Sequence, residues 1–424
     1  MDMVKYIVGL FVIVYLVSML VARSRRPQLP VWSIMAFAML MVLTPGIVSV
    51  DEIDHIVDVE VLLFLIGMFS IVSILESSGV LDAIAAWFLI RFKSVYGVLF
   101  TLSLVYGILS AFTVNDALTL MGVPIAISIS RALGVELKAV LILTAFSITI
   151  GSVMTPVGNP QNMLISSASG IPTPFILFLK KLTIPTVLNL FLTTFILLKI
   201  YKIKNRRIGV GLVPSEMIRD KREALLGIAL FMLTVLIFVV NDLLEAAGFI
   251  HISRRGFIPF AVASFMYILV KNPRELLQRV SWGTILFFIT MFITMEGIWR
   301  SGVLNPLLNM LLPSRSSGLS DILRISATSI LLSQLLSNVP FTRLFITYMH
   351  SLGYTHYDVN AWITLATAAT IAGNFTQLGA ASNIIMLEVV ERRGQTVSFL
   401  EFLRAGALVT IVNMLVYLPF IVIL

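Results

Sequence analysis

The sequence predicts an all-α polytopic membrane protein, built as an inverted repeat of two five-span halves. The first observation is composition: the 424 residues are 58% hydrophobic and only 12% charged, whereas soluble chains carry about 25% charged residues. The second is that apolar runs recur from end to end, with a mean hydropathy of +1.00. The third is that similar segments return about 223 residues later, which indicates an internal repeat.

The predicted spans are apolar windows long enough to cross a bilayer. Eight windows are uninterrupted: 4–22, 31–50, 61–77, 181–200, 225–243, 256–270, 284–299 and 405–424. Two longer windows, 138–168 and 359–390, each carry a polar break. Windows 94–130 and 319–349 have a polar tip at their centre and are compatible with crossing helices or re-entrant hairpins. The hairpin interpretation gives about ten spans plus two hairpins.

The distribution of Lys and Arg predicts the orientation. If both termini lie outside, 21 of the 30 basic residues fall in inside loops, and the acidic stretch 51–60 falls outside. The opposite orientation reverses this bias, so the positive-inside rule favours the first. The window 4–22 has no cleavage site after it and is interpreted as a retained span in an integral cell-membrane protein.

Self-similarity divides the chain. "LFLIGMFSIVSILESSGVLD" from Leu63 and "LFFITMFITMEGIWRSGVLN" from Leu286 share nine of twenty residues. The N-terminal half is predicted at 1–200, a basic cytoplasmic linker at 201–223 and the C-terminal half at 224–424. Each half holds five spans and one hairpin. Because five is odd, the second half must enter the membrane upside down.

The two polar breaks are predicted to form the site. "GSVMTPVGNPQN" (151–162) and "AGNFTQLGAASN" (372–383) interrupt apolar windows with Gly, Pro, Asn and Gln. Irregular backbone survives in a membrane only inside protein or against a watery cavity. In inverted-repeat transporters, broken helices meet near the midplane, where helix N-termini attract anions and unwound carbonyls coordinate Na⁺. The sequence therefore predicts a binding site at mid-membrane depth.

The hairpin tips, "SAFTVND" (110–116) and "SQLLSNVP" (333–340), each carry one repeat-equivalent Asn. An amide can hold a carboxylate oxygen or complete a cation shell, although polar glue between helices is the alternative interpretation. The full predicted substrate and cation site comprises Ser110, Asn115, Asp116, Thr155, Gly158, Asn159, Asn162, Ser333, Ser337, Asn338, Thr376, Gly379 and Asn383. Within it, Na⁺ is predicted at Asn115, Gly158, Asn338 and Gly379.

Two charged residues lie within the hairpins. Asp116 is an intramembrane carboxylate, which by default suggests a proton or Na⁺ carrier. Arg343 lies five residues past the second tip, where it either attracts an anion or pairs with Asp116 in a structural ion pair. Both alternatives remain open from sequence.

Several function classes are excluded or disfavoured. The chain has no Cys, and its four His show no metal spacing, so no cofactor or metal beyond Na⁺ is predicted. Its basic residues lie in short loops, which disfavours nucleic acid binding. No paired Asp or Ser–His dyad lies on facing spans, so no enzyme is predicted. There is no Walker A motif, although an ATPase partner subunit remains open.

The motifs resemble the ion transporter superfamily, particularly its arsenite permease and divalent-anion:sodium symporter branches. "SAFTVNDALTLMGVP" is similar to the arsenite-permease hairpin with its Asn–Asp tip, and "LLSNVPF" resembles the second tip. "TPVGNPQN" and "GNFTQLGAASN" resemble the broken-helix motifs of both branches. The resemblance implies an elevator-type secondary transporter, often dimeric, whose tips and breaks form the substrate and cation sites.

The resulting functional prediction is an anion or oxyanion permease in the lipid bilayer, driven by Na⁺ or H⁺. An arsenite or antimonite efflux permease is the main alternative, and a Na⁺/H⁺ antiporter or an intramembrane enzyme fits less well. Dicarboxylate members carry Ser-Asn-Thr at both tips, whereas this chain has Val114-Asn115-Asp116 and Ser337-Asn338-Val339. That departure weakens a dicarboxylate assignment.

Overall fold

The computed structural model describes residues 2–25, 29–113, 115–207, 217–312, 314–315, 318–377, 379–380, 382–383, 386–387 and 397–423. Within these ranges the chain is helical, and its only strand-like feature is one isolated bridge between Ser94 and Arg207. The helices are α1 (Asp2–Arg25), α2 (Val31–Leu43), α3 (Ile53–Ile56), α4 (Val59–Ser77), α5 (Val80–Arg91), α6 (Val95–Phe112), α7 (Asn115–Leu133), α8 (Leu137–Ser152), α9 (Pro160–Ser169), α10 (Pro174–Ile200), α11 (Lys221–Ala246), α12 (Phe257–Leu269), α13 (Pro273–Arg279), α14 (Trp282–Ser301), α15 (Asn305–Leu311), α16 (Leu319–Leu336), α17 (Asn338–Ser351), α18 (Val359–Ile371) and α19 (Phe399–Ile423).

Eight of the described helices are long and apolar enough to cross a bilayer: α1, α4, α6, α10, α11, α14, α16 and α19. This is a multi-pass integral membrane architecture. The predicted window 31–50 is shorter as a helix, because α2 ends at Leu43 and a turn through Thr44 and Gly46 follows, with a proline between them. Conversely, α10 begins at Pro174 and α19 at Phe399, several residues before their predicted windows.

Both predicted tips are helix interruptions. The window 94–130 consists of α6 and α7, with a break after Thr113, and 319–349 consists of α16 and α17, with a break at Ser337. Helix α6 has 18 residues, which corresponds to about 27 Å. That length nearly matches a hydrocarbon core of about 30 Å. The re-entrant character of the two hairpins therefore stays a prediction.

The order of helices repeats along the chain. Helix α4 and its turn correspond to α14 and its turn, and both turns are made by glycines with positive φ, Gly79 (82°) and Gly302 (68°). A left-handed backbone favours glycine because a Cβ would be strained there. The pairs α6–α7 and α16–α17 follow, then α8 and α18 with their breaks, then α10 and α19.

Helices α10 and α19 are repeat partners that pack directly against each other. Asn189 Nδ2 donates to the carbonyl of Asn413 (3.2 Å), its counterpart 224 residues later. Thr186 pairs with Tyr417 (2.8 Å). Residues later in α10 contact residues earlier in α19, so the two helices run antiparallel. An inverted repeat requires this arrangement, while the orientation of each half in the membrane stays a prediction.

Apart from the short helices α3, α13 and α15 and from α5, the remaining helices form two groups. The hairpin group contains α6, α7, α8, α9, α16, α17 and α18, and the outer group contains α1, α2, α4, α11, α12 and α14. In the outer group, α2 and α1 pack on α14, just as α12 and α11 pack on α4. The groups meet where α14 packs on α17 and where α4 packs on α9 and α7. The predicted site residues all belong to the hairpin group or its breaks.

Candidate substrate and cation site

The first hairpin tip lies level with the first break. Ser147 Oγ donates to Ser103 Oγ (2.8 Å), and Thr155 Oγ1 donates to the carbonyl of Ala111. Both pairs are 44 residues apart, so α6 and the chain through α8 run side by side in the same direction. Ser110 Oγ adds a bond to the carbonyl of Ile148 (2.7 Å). Ser110 and Thr155 thus join the tip to the break, as expected if both lie at one depth.

The second tip meets the second break in the same way through a residue that the sequence analysis missed. Gln334 donates to the carbonyl of Ala372 (3.0 Å) and accepts from Thr376 (2.7 Å). The backbone N–H of Asn338 donates to the backbone carbonyl of Gly379 (3.1 Å). Ser333 is fully buried, but its hydroxyl has no partner. The offset of 38 between Gln334 and Ala372, equal to that between Ser110 and Ile148, could have identified Gln334.

Ser337 forms the tip itself with a strained backbone. Its φ is 70° and its ψ is 160°, a region that non-glycine residues rarely adopt. Such residues cost about 1–3 kcal/mol and persist where surrounding structure imposes them. Because α16 ends at Leu336 and α17 begins at Asn338, the chain reverses direction at this one residue.

The first break is held open by its own amides. Asn159 caps α9: its Oδ1 accepts from the backbone N–H of Asn162 (2.8 Å), and its Nδ2 donates to the Ser152 carbonyl (3.0 Å). Asn162 Nδ2 donates to the carbonyls of Ser152 (3.1 Å) and Thr155 (3.0 Å). In the second break, Asn383 Nδ2 does the same to Gly373 and Thr376. The side-chain nitrogens of these Asn therefore satisfy carbonyls that the unwound helix leaves unpaired.

Gly158 and Gly379 allow the breaks to approach their tips. A Cβ on Gly158 would lie 2.4 Å from the Ser152 carbonyl oxygen and 3.0 Å from that of Ser110. A Cβ on Gly379 would lie 2.6 Å from the Ala372 oxygen. Any larger residue would push tip and break apart. These glycines are packed against backbone, and the wall of the cavity described next does not include them.

The two tips meet at a cavity of about 200 Å³. Asn115 of the first tip and Asn338 of the second both line it. The hairpin group adds Pro160, Gln161 and Val339, and the outer group and its loops add Arg23, Pro30, Val31, Trp32, Ser281, Gly283, Thr284, Phe287 and Phe288. The cavity therefore lies between the two helix groups. Asn115 Oδ1 and Gln161 Oε1 are buried without a hydrogen-bond partner.

Five helices begin at this cavity. Val31 starts α2, Asn115 starts α7, Pro160 starts α9, Asn338 starts α17, and Gly283 lies in the first turn of α14. Each helix N-terminus carries a partial positive charge of roughly half an elementary charge, and its first N–H groups lack helical partners. Their convergence gives the cavity a positive potential without a metal ion.

Arg23 adds a full positive charge to the cavity wall. The residue is only 5% exposed, and its Nε donates to the carbonyl of Leu29 (2.9 Å). A guanidinium held in this way presents a planar fork of donors that matches carboxylates and other oxyanions. From sequence, Arg23 is interpreted only as a topology signal, because its run of basic residues follows a span.

Arg343 contacts Thr347 and the ring of Phe292, whereas the sequence suggested an anion or Asp116 as its partner. Its Nη1 donates to Thr347 Oγ1 (2.9 Å), and its guanidinium lies 5.8 Å from the centre of the Phe292 ring on α14. No carboxylate among the described side chains pairs with it. The side chain of Asp116 lies outside the described side chains, so the predicted ion pair and carrier role stay predictions.

The start of α4 is the repeat equivalent of the start of α14, but on its side of the site the helices are joined and the approach to the site is closed. At the start of α4, Glu60 occupies the position of Gly283 on α14, 223 residues earlier. Its Oε1 accepts from the Gly256 amide (3.2 Å) and its Oε2 from Ser167 Oγ (3.0 Å). A Cβ on Gly256 would lie 2.2 Å from the Glu60 carbonyl oxygen. Glu60 thus joins α4, α12 and α9, whereas the cavity separates the matching elements on the first side.

Comparison with known proteins is consistent with this architecture. The sequence model of the family described as citrate transporter matches residues 15–365, which is most of the chain. The chain belongs to the citrate transporter family. A membrane transporter, and not an enzyme, is therefore the class of protein to which the cavity and its two tips belong.

Several relatives of this citrate transporter family member are named as transporters. An uncharacterized transporter of Mycobacterium bovis is 28% identical over 388 residues, covering 89% of both chains. An uncharacterized transporter of Methanocaldococcus jannaschii is 28% identical, covering 90% of this chain and 94% of that protein. The human P protein is 25% identical and covers 84% of this chain, which spans 52% of that protein.

A solved structure shares the fold. The crystal structure of the Alcanivorax borkumensis YdaH transporter, described as having an unusual topology, aligns with a TM-score of 0.52 and 16% identity. The alignment covers 85% of this chain and 83% of the other. The helical membrane fold predicted from the sequence is confirmed by this likeness, and the predicted resemblance to citrate-transporter-like proteins is confirmed by the family match.

Proposed function

We propose that the chain is a secondary active transporter that moves a small anion or oxyanion, coupled to Na⁺ or H⁺. The observation that carries the proposal is the convergence of five helix N-termini and the Arg23 guanidinium on one cavity. Both hairpin tips, through Asn115 and Asn338, reach the same cavity. Amide donors, helix termini and a guanidinium all favour negative charge.

The family description and the cavity wall favour a carboxylate such as citrate as substrate. Carboxylates accept two parallel hydrogen bonds from a guanidinium, and Arg23 lies in the wall. Phe287, Phe288 and Trp32 form the apolar remainder of that wall, which would exclude water around the bound ion. An arsenite or antimonite efflux permease is the second candidate, favoured by the Asn115–Asp116 tip of the first hairpin. An ATPase subunit would accompany only that candidate.

The position of the cavity supports an elevator mechanism. Asn115, Gln161 and Asn338 belong to the hairpin group, and Arg23 and Ser281 lie on the side of the outer group. Sliding the hairpin group along the outer group would carry the two tips and Gln161 across and separate the bound ion from Arg23. The cavity lies beside the ends of α1 and α14 that adjoin basic loops. With the termini outside, as positive-inside predicts, this is a state open to the inside. A homodimer, as in many elevator transporters of the resembled superfamily, stays part of the proposal.

The test is uptake by the purified chain in liposomes. Labelled citrate is supplied with an imposed Na⁺ gradient, an imposed pH gradient or neither, and arsenite and sulfate are added as competitors. We expect gradient-driven uptake that other small oxyanions inhibit, and a large rise in KM for Arg23→Gln. Arg131→Gln, an exposed basic residue outside the cavity wall, is the matched control. Uptake of a cation or neutral solute without anion competition would overturn the proposal.

A further inference from the structure

The cavity wall contains an amide whose orientation is set by the second half of the chain. Gln161, in the first turn of α9, lines the cavity and is fully buried. Its Nε2 donates to Thr370 Oγ1 on α18 (3.3 Å), whereas its Oε1 has no hydrogen-bond partner within the described part of the chain. The atom of Gln161 that lacks a partner is therefore an acceptor, in a cavity whose other features favour negative charge.

This orientation begins with Asn162, whose own amide cannot rotate. Its Nδ2 donates to the carbonyls of Ser152 (3.1 Å) and Thr155 (3.0 Å), which accept hydrogen bonds but cannot donate them. Its Oδ1 is consequently the atom that faces Thr370, and it accepts the hydroxyl proton of that threonine (3.2 Å). Because a hydroxyl has a single proton, Thr370 has none left to donate.

Thr370 in turn fixes the amide of Gln161. A hydroxyl oxygen has two acceptor lone pairs, and that of Thr370 accepts from Asn159 Nδ2 (3.2 Å) and from Gln161 Nε2 (3.3 Å). Rotating the Gln161 amide by half a turn would place its Oε1 against an oxygen that has no proton to share, which is costly in a buried site. The bonds from Asn162 through Thr370 therefore keep the nitrogen of Gln161 on the threonine and leave its oxygen unpaired.

The second tip presents the opposite polarity to the cavity. Asn338 Oδ1 accepts from the backbone N–H of Val339 (2.9 Å), so its Nδ2 is the atom that remains to donate. Arg23 adds guanidinium donors to the same wall. Pockets for drug-sized ligands measure about 300–1,000 Å³, so a small anion that fills this cavity of about 200 Å³ contacts several sides at once. Such an anion meets donors from the second tip and α1, and an acceptor from the first break.

We propose that Gln161 is a specificity-determining residue that selects anions carrying an O–H group beside their negative charge. A fully ionised carboxylate or sulfate has only acceptor oxygens, so against Gln161 it would leave Oε1 unpaired. A site with a buried polar group strongly rejects an analogue that lacks the matching partner. The O–H belongs either to the alcohol of a hydroxycarboxylate or to a partly protonated oxyanion such as hydrogen phosphate.

The inference rests on the proposed function, to which it adds the chemical group that is recognised and the residue that recognises it. Thr370 is a positioning residue, since it acts on the substrate only through Gln161.

The experiment compares pairs of anions that differ in one O–H group. Binding to the full chain in detergent is measured by isothermal titration calorimetry at neutral pH, with malate against succinate and with phosphate against sulfate. We expect the wild type to bind the O–H member of at least one pair at least about tenfold more tightly than the other member. A preference for malate assigns the O–H to a hydroxycarboxylate, and a preference for phosphate assigns it to a protonated oxyanion.

Variants of Gln161 and Thr370 test which residue reads the O–H group. Gln161→Met removes the acceptor with little change in volume, and should weaken binding of the preferred anion at least about fivefold while the other member of the pair changes little. Thr370→Val frees the Gln161 amide to rotate and should reduce the preference in the same way. Thr370→Ser keeps the hydroxyl and should keep the preference. The melting temperature of each variant shows that it is folded.

Two control variants change buried polar side chains outside the cavity wall. Gln377→Met changes a glutamine of the second break whose Nε2 donates to the Val397 carbonyl (2.8 Å), and Thr364→Val removes a hydroxyl that bonds within its own helix to Asn360 (2.6 Å). Both should keep the preference. No preference in the wild type, or an equal preference in the wild type and Gln161→Met, overturns the inference. The proposed function stands if both members of a pair bind equally well, and fails together with the inference if no anion binds and none is taken up.

Discussion

The two approaches to the central site occupy equivalent places in the repeat but are in opposite states. On one side, Gly283 begins α14, and a Cβ there would lie 3.4 Å from Trp32, with the cavity beside both residues. On the other side, Glu60 begins α4 and bonds to Gly256 and Ser167. A glycine at one position and a glutamate at the other therefore accompany an open and a closed approach.

The closed side also carries a buried ion pair. Asp242 on α11 is fully buried and accepts from the amides of Phe175 (2.8 Å) and Ile176 (3.1 Å) at the start of α10. Arg255 pairs with it (3.2 Å) and with Glu245. On the open side, Arg23 is the charged residue in the cavity wall. The two sides of the repeat thus differ in their side chains, while their helices remain matched.

The largest expected effect is loss of the closed-side ion pair. Arg255→Met leaves Asp242 buried without its cation, and breaking such a pair typically costs about 3–5 kcal/mol. The bonds that Asp242 accepts from α10 keep the expected loss near the lower end of that range. The measurement is melting temperature in detergent. Arg254→Met, at the exposed neighbouring residue, is the control and should change stability by less than about 0.5 kcal/mol. Equal melting temperatures for the two variants would contradict the pair.

The second prediction concerns the tips that meet at the open side. Asn115→Ala and Asn338→Ala should each remove a hydrogen bond to the substrate or its coupling ion, worth roughly 1–3 kcal/mol in a desolvated site. That corresponds to about five- to 150-fold in apparent affinity. The measurement is uptake kinetics beside melting temperature. Asn413→Ala, which removes the side-chain oxygen that accepts from Thr193 Oγ1 (3.2 Å) between α10 and α19, should instead lower stability slightly and leave affinity unchanged. Unchanged kinetics with lowered melting temperature in both tip variants would show that they are polar glue.

The third prediction weakens the closed side directly. Glu60→Gln removes the charge from two hydrogen bonds and should shift the closed approach toward opening by about 1 kcal/mol, or roughly fivefold. The native chain has no Cys, so a single Cys at Ile258, buried beside this contact, reports opening. Its labelling rate by a small polar reagent should rise in the Glu60→Gln background. Glu275→Gln, an exposed carboxylate at the basic side, is the control, and an equal rise there would remove Glu60 from the closure.

The smallest expected effect is at the rim of the closed side and depends on pH. Glu52 accepts from Arg300 (2.8 Å), and this hydrogen bond holds the pKa of Glu52 below its ordinary value of 4.5. A carboxyl with a lowered folded-state pKa stabilises the fold above its unfolded pKa, and that stability is lost as pH falls through the folded value. The difference in melting temperature between wild type and Glu52→Gln should therefore be present at neutral pH and close below pH 4.5. Asp51→Asn controls for charge loss in the same turn, and a difference that persists at low pH would contradict the prediction.

The sequence predicted the features that depend on local pattern. Long apolar windows, the two tips and the two breaks all correspond to helices or interruptions, because hydrophobic length and Gly or Pro act over short distances. The membrane transporter class and the superfamily resemblance agree with the family match. The substrate, the coupling ion, the domain boundaries and the roles of the site residues stay predictions.

What the sequence could not predict depends on contacts across the fold. Arg23 follows a span in a basic run, and only the packing of α1 beside α14 places it at the cavity. Gln334, and not Ser333, makes the side-chain bonds from the second tip to the second break. Asn159 and Asn162 were predicted as ligands, yet their amide nitrogens are occupied by the carbonyls of their own break. Such differences arise from side-chain direction, which periodicity does not determine.

The antiparallel contact of α10 and α19 constrains the whole molecule. In the language of oligomers it is isologous: Asn189 meets its own repeat counterpart, Asn413, as a residue on a two-fold axis meets its copy. Elsewhere one half can acquire a glutamate where the other keeps a glycine, since each faces different neighbours. At the axis, equivalent residues of the two halves contact each other, so a substitution in one half must be compatible with the equivalent residue in the other. The contact therefore keeps the two halves in register while their two faces diverge.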